Sequence, residues 1–237
     1  MNGVLKHSSQ SIYNNKGMSL LELLYKKMGD EVEKYISFFS LRNHGTIGGI
    51  PVTEQVYIHS KLMIVDDEKV ILGSANINDR SMKGNRDSEF GIIIEEEKKY
   101  ESIMGENRFI ASQYASTLRR HLMAEHLGIN DNEPILIDPI SDNLWLFIKQ
   151  RANNNTTIYR EIFDCFPDNK FTTFMELRNR KMIRNKEDED NLKAVYESKI
   201  NGVVGHIVEY PTKFLINENL YINLLSKESL VPEKNFT

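Results

Sequence analysis

A chain of 237 residues, 40% apolar and 27% charged, can bury a sizeable core as one domain or as half of a larger bilobal one. Its net charge of −4 argues against a nucleic-acid enzyme, since nonspecific phosphate tracking favours strongly basic surfaces. The sequence has no apolar run approaching about 18 residues, no basic-then-apolar leader at its start and a single Cys165, so a membrane span, a secretory signal and an internal disulfide are all unsupported. A reducing, cytoplasmic setting and a buried structural role for Cys165 are expected.

In chain order, Ser19 to Met28 reads as an amphipathic helix, with Leu20, Leu23, Leu24 and Met28 near helical spacing. Tyr35 to Leu41 is an apolar strand, and Arg42 to Gly49 reads as a loop because of its glycines. The apolar runs before Asp66 and over Val70-Ile71-Leu72 flank a polar break, which predicts a hairpin with its turn centred on Asp67-Glu68. Phe90 to Ile94 is a buried strand, and Glu95-Glu96-Glu97 opens a polar connection. Ile110 to Leu127 is a helix ended by Gly128 as a left-handed cap. From about Pro134 the sequence offers helical candidates and a charge-patterned linker, Arg178 to Asp190. The alternation of strands and helices predicts an α/β architecture.

The chemistry-bearing residues cluster around that hairpin. His59-Ser60-Lys61, with Asp66 five residues on, forms a His-x-Lys-x-x-x-x-Asp signature, and Gly73 to Ser81 follows it. Residues two apart on a strand share a face, which sets His59, Lys61, Met63 and Val65 in one column. With an even-numbered turn, Lys61 faces Ser74 and His59 faces Asn76; a one-residue slip would move one strand's set to the opposite face. An ammonium, a hydroxyl and a carboxamide suit the oxygens of a phosphodiester, and an imidazole, with an ordinary pKa near ~6.5, can move a proton near neutrality. Asp66 lies an odd number of residues from His59, points away from the chemistry and reads as structural.

The run His59 to Asp66, then Gly73-Ser74-Ala75-Asn76-Ile77-Asn78-Asp79-Arg80-Ser81, then Arg86-Asp87-Ser88-Glu89, resembles the second catalytic motif of eukaryotic phospholipase D. Tyr35 to Arg42, Pro51 to Glu54, Arg108-Phe109 through Leu127-Gly128, Asp138 to Asp142 and Ala152-Asn153 through Tyr159 are similar to the same family. The resemblance covers nearly all of residues 1–237, with the motif region at 54–81 and a family-specific region from about 134. It implies the phospholipase D/nuclease-like fold: a mixed central sheet flanked by helices, one half of a pseudo-two-fold bilobal catalytic unit. It implies His59, Lys61, Asp66 and Glu89 as the catalytic motif residues, with Glu89 accepting a hydrogen bond from the catalytic imidazole. It further implies cleavage of phosphatidylcholine-like lipids to phosphatidic acid and an alcohol through a phosphohistidine, with His59 as general acid and then general base.

In an in-line displacement the entering and leaving atoms occupy opposite apices, so one imidazole cannot attack from one side and protonate the other. Neither His7, His44, His121, His126 nor His206 has the companion Lys and Asp. The chain therefore reads as half of an active site. The other half would come from a second copy across a two-fold axis, from a missing N-terminal half, or not at all. The ending Leu230 to Thr237 resembles the family's C-terminus, whereas Gly3 to Ile12 enters partway through its catalytic region, which favours a fragment. Two further readings stay open: a homodimeric single-motif nuclease or cardiolipin-type hydrolase, and an inactive phosphate- or phosphoinositide-binding module. The expected partner is a phospholipid membrane surface, met peripherally, and not nucleic acid. The chemistry needs no cofactor or metal, and the resemblance admits a phosphoinositide activator and a small GTPase.

Other residues read as ordinary structure. His44 sits in a glycine loop as bystander surface, and His121 and His126 lack ligand spacing for a metal. Gly45, Gly48 and Gly49 match no phosphate loop. The triplets at Asn154, Asn155 and Asn235 are glycosylation signals by pattern alone. The basic run Arg178, Arg180, Lys181, Arg184 and Lys186 could meet an anionic headgroup, but the acids that follow make it a solvated linker.

Overall fold

A computed structural model describes residues 20–179 and 186–218. Both chain ends, His7, Asn235, and Arg180, Lys181 and Arg184 of the basic run lie outside the described residues. In chain order the main elements are α1 (Leu20–Met28), β1 (Phe39–Ile47), β2 (Ile50–Gln55), β3 (Lys61–Val65), β4 (Lys69–Gly73), α2 (Asp79–Met82), β5 (Gly91–Glu95), β6 (Lys99–Met104) and β7 (Asn107–Ser112). There follow α3 (Gln113–Leu127), α4 (Asp142–Phe163), α5 (Phe174–Arg178), α6 (Lys186–Lys199) and β8 (Ile207–Glu209). They divide between two compact units. The larger holds 39–163 and 186–209, the smaller 20–38, 164–179 and 210–218.

In the smaller unit, α1 forms where expected, but it is Leu21 that is buried, while Leu20, Leu23 and Met28 are exposed. The buried cluster of this unit is Phe171, Phe214 and Leu215, beside α5, which starts at a capping box between Thr173 and Glu176.

The larger unit is α/β, and its strands stand in three small antiparallel sheets where the sequence suggests one central sheet. Their orders are β2-β1-β8, β3-β4-β5 and β6-β7. Short local hairpins account for this, and two of them were hidden in the sequence. The expected loop at 42–49 is instead the second half of β1, which turns into β2 through Gly48-Gly49 with Ile47 opposite Ile50. Both glycines have φ near the left-handed region, at 59° and 78°, the conformation a two-residue hairpin turn demands. The helix expected from Ile110 starts only at Gln113, because Asn107–Ser112 pairs with β6 through a turn at Gly105-Glu106, both at positive φ. Glutamate is not a turn signal, so the pattern gave no warning. The end of α3 is as expected, with Gly128 at φ 66°.

The catalytic-motif hairpin also departs from expectation. Lys61 pairs with Gly73, Met63 with Ile71 and Val65 with Lys69, one residue away from the predicted register. Three residues close the turn, with Asp66 and Asp67 at φ 50° and 52° and Glu68 N donating to the Val65 carbonyl at 2.9 Å. An odd-numbered turn is the condition under which one strand's faces invert, so Lys61 and Ser74 are not cross-strand partners. Asp66 is exposed at the tip. Its neighbour Asp67 is buried against α3, where its carboxylate receives Arg119 Nε at 2.6 Å and Nη2 at 2.8 Å. The structural aspartate is therefore Asp67. Ser112 reinforces the pin, its N–H donating to the Asp67 carbonyl and its hydroxyl to that of Glu68.

The principal core lies along α4. Leu144, Ile148, Ala152, Asn155, Tyr159 and Ile162 are buried at helical spacing, against Ala124 and Leu127 of α3, Leu136 and Ile207 at one end and Leu192 and Ile200 at the other. Asn155 is fully buried and gives its amide to the Val204 and Ile207 carbonyls, so its glycosylation pattern is a coincidence of sequence. The expected linker is helical from Lys186, and Glu187, Asp188 and Glu189 occupy the first turn of α6, where acids suit the helix dipole.

Candidate active site

The site assembles at strand ends. Lys61 begins β3, Gly73 ends β4 and Gly91 begins β5, and these three residues lie side by side in the register of the sheet. The loops entering and leaving that edge carry His59-Ser60, Ser74 to Asn78 and Asp87 to Phe90. Together they line a cleft of about 710 Å³ that contains His59, Lys61, Ser74, Asn76, Asp87 and Glu89. The four groups assigned from the hairpin pattern therefore do meet, although the pairing that was to unite them is absent. They meet because 59–60 and 74–78 lie beyond the regular strands, where alternation no longer dictates direction.

Gly73 permits the convergence. A Cβ there would lie 2.3 Å from the Phe90 carbonyl oxygen and 2.7 Å from Gly91 Cα, well inside van der Waals contact. With no Cβ, Ser74 N donates to the Phe90 carbonyl at 2.8 Å and Phe90 N donates back to Ser74 Oγ at 2.9 Å. The Ser74 hydroxyl donates to Glu89 Oε2 at 2.5 Å. The Lys61 ammonium donates to the His59 carbonyl at 2.6 Å, which leaves further N–H donors for an anion. Asn78 Oδ1 accepts from Ser81 N at 3.0 Å and so starts the short α2, while Ser81 Oγ accepts from Asn76 N at 3.1 Å. Arg80 pairs with Asp87 at 2.8 Å.

Glu89 is held below the ordinary carboxylate value of 4.5, first by the Ser74 hydroxyl, then by a side-chain hydrogen bond from Ser81, with the charges of Lys61 and Arg80 adding to the effect. It is thus an ionised acceptor at neutral pH. Its hydrogen-bond partners are the two serines, not the imidazole. His59 is exposed, its ring 5.8 Å from that of Tyr57, and it makes no side-chain hydrogen bond among the described residues. Ser81 and Asp87 were not singled out as site residues by the pattern; the side-chain contacts that bring them in cross loops and have no period. Of the histidines set aside, His44 is in β1 and bonds the Tyr196 hydroxyl through Nδ1 at 3.1 Å, which makes it part of the packing rather than loop surface.

Among the described residues the cleft lining presents the Lys61 ammonium, the Ser74 hydroxyl, the Asn76 carboxamide, the Asp87 and Glu89 carboxylates and the His59 imidazole at an open sheet edge. That set can hold a phosphoryl oxygen and exchange one proton. Three large apolar side chains on the same loops are exposed: Phe90, which lines the cleft, at 74%, Tyr57, whose ring neighbours that of His59, at 85%, and Ile77, next in the chain to Asn76, at 91%. Among the described residues no helix is long and apolar enough to cross a membrane.

The family model of Phospholipase D matches residues 52–174, just over half of the chain and all of the cleft. Phospholipase D2 of Bos taurus is 40% identical over 220 residues, 92% of this chain and 23% of that protein. Phospholipase D1 of Mus musculus is 40% identical over 223 residues, again 92% of this chain and 20% of the relative. Phospholipase D of Phytophthora infestans is 46% identical over 162 residues, 68% of this chain and 9% of the relative. The chain thus spans less than a quarter of the length of these relatives.

Proposed function

Because the chain belongs to the phospholipase D family, we propose that it supplies one half-site of a phosphodiesterase that cleaves phosphatidylcholine-like phospholipids to phosphatidic acid and a free alcohol. The observation that carries the reading is the meeting of His59, Lys61, Ser74 and Asn76 in one cleft. Lys61 neutralises a non-bridging oxygen, and Ser74 and Asn76 fix its direction. A histidine of the complementary half attacks phosphorus, the phosphorus–oxygen bond to the alcohol breaks, and His59 protonates the departing oxygen. Water then gives a proton to His59 and attacks the phosphohistidine, which releases phosphatidic acid. Support for a lipid surface comes from the exposed Tyr57, Ile77 and Phe90 around the polar cleft.

The test is phosphatidic acid formation from phosphatidylcholine vesicles, with a primary alcohol added to trap the intermediate as a phosphatidylalcohol, alongside the mass in solution. The expected outcome is turnover only when a second motif is present, from a dimer or an added N-terminal half, and its loss by at least a hundredfold in His59→Ala. Clean turnover by a strictly monomeric 237-residue chain would overturn the half-site assignment.

A further inference from the structure

Strand β6 is paired on one side only. It runs against β7, with Lys99 opposite Ser112 and Met104 opposite Asn107, and among the described residues no backbone group of Lys99–Met104 bonds another strand. In an antiparallel ladder every second residue turns its N–H and C=O outward, so this edge presents a row of unmet donors and acceptors. Charges that commonly guard such an edge are engaged within the chain: Lys99 pairs with Glu68 at 2.7 Å, and Glu101 receives Arg108 from the neighbouring strand. Other strands have free edges too, but beside β6 lies a groove of about 570 Å³. Its lining includes four consecutive residues, Tyr100 to Ile103, with Arg120 of α3 and Ile137. Successive strand residues point to opposite faces, so a space that touches all four follows the edge of the strand. The Tyr100 hydroxyl donates to Ser116 Oγ at 3.0 Å, which places α3 over the face shared by Tyr100 and Ser102. On that side Arg120 is half-buried. Its one hydrogen bond among the described residues is from Nε to the Ser116 carbonyl at 3.4 Å, and no carboxylate among them pairs with it. Glu106 also lines the groove, but it is exposed at the turn and stays solvated. Ile103 and Ile137 are exposed as well.

We infer that β6 is a docking edge for an extended segment of a partner protein, which adds a strand to the β6-β7 hairpin and sets a carboxylate against Arg120. Main-chain hydrogen bonds hold the segment, and its alternate side chains give selectivity: an acidic one meets Arg120 and the Ser102 hydroxyl, and apolar ones meet Ile103 and Ile137. A second copy of this chain suits the edge poorly. Antiparallel pairing of β6 with its own copy keeps the same face up on both, which brings two α3 helices and two Arg120 side chains to one side of the joined sheet, and like charges there repel. The docking edge is separate from the phosphodiester cleft and shares none of its lining residues.

The experiment uses the full chain and two blocked hexapeptides of alternating threonine and valine, one with a glutamate at its third position and the other with a lysine there. Backbone ¹H–¹⁵N resonances of Lys99–Met104 report where a peptide lies, and hydrogen exchange reports whether their amides gain a partner. The glutamate peptide slows exchange at alternate β6 amides and binds about tenfold more tightly than the lysine peptide, the effect of one hydrogen bond to a charged group. Arg120→Glu reverses that preference, and Ile103→Lys weakens both peptides. Should Arg120→Glu fail to fold, Arg120→Gln, which keeps an N–H donor without the charge, levels the two affinities. Failure of the wild type to bind either peptide, binding that leaves the β6 amides unprotected, or equal affinity of the wild type for the two peptides overturns the assignment. So does protection of β6 that grows with the concentration of the chain alone and tracks a dimer in sedimentation, because a second copy then holds the edge.

Discussion

Removing Arg119 should unseat the hairpin that carries Lys61 from its far end. Asp67 is 3% exposed and Arg119 8%, and the guanidinium makes two bonds to the carboxylate, at 2.6 and 2.8 Å, and a third to the Leu136 carbonyl at 2.8 Å. In Arg119→Met a buried carboxylate and a buried carbonyl both lose their donors. Breaking one side of a buried pair costs about 3–5 kcal/mol, a large part of the stability of an ordinary domain. Replacing both charges removes the orphaned charge and leaves only neutral groups short of donors, so Asp67→Asn with Arg119→Met should recover at least half of the loss; asparagine also tolerates the positive φ at 67. Urea unfolding followed by circular dichroism gives both values, and the double-mutant cycle gives their coupling. A loss below about 1 kcal/mol in Arg119→Met, or a double variant no better than the single, would refute the argument that this pair pins the turn.

Three other outcomes are expected. Gly73→Ala forces a Cβ to 2.3 Å from the Phe90 carbonyl, so it should destabilise the chain by about 1–3 kcal/mol and, in a phosphate titration, abolish binding as Ser74 leaves the cleft. Gly128→Ala combines φ 66° with a Cβ 2.5 Å from Gly205 N, and thermal unfolding should report a loss above the ~1–2 kcal/mol of a left-handed alanine alone. Stability should also fall with acid. Burial, then the neighbouring His206, holds His44 below its ordinary 6.5; burial does the same to His126, whose Nδ1 is buried with no partner among the described residues. Unfolding restores both to the ordinary value, so the unfolded chain binds more protons. Stability is full above about pH 6.5 and declines as pH drops through the folded-state values, and urea midpoints at pH 7.5 and 5.5 should show it. His44→Asn with His126→Asn should flatten that slope.

What the sequence determined by itself was chemistry and ends. The spacing of His59 and Lys61 and the run from Gly73 to Ser81 pointed to His59, Lys61, Ser74 and Asn76, which line one cleft, because side-chain identity is a local property. Gly128 stopped its helix where read, because a left-handed cap is a one-residue property. Register was not legible in this way. Whether the turn is an even-numbered one centred on Asp67-Glu68 or the three residues Asp66 to Glu68 depends on Asp67 finding Arg119, 52 positions away, and on Ser112 bonding its backbone. The hairpin at Gly105-Glu106 escaped notice because its second turn residue carries no propensity for positive φ and is held there by pairing along Lys99–Ser112. The site itself was a tertiary decision. His59, Ser74 and Glu89 converge because three strands end in line at Lys61, Gly73 and Gly91 and a glycine lets two backbones touch. Only that contact brings the Ser74 hydroxyl to Glu89.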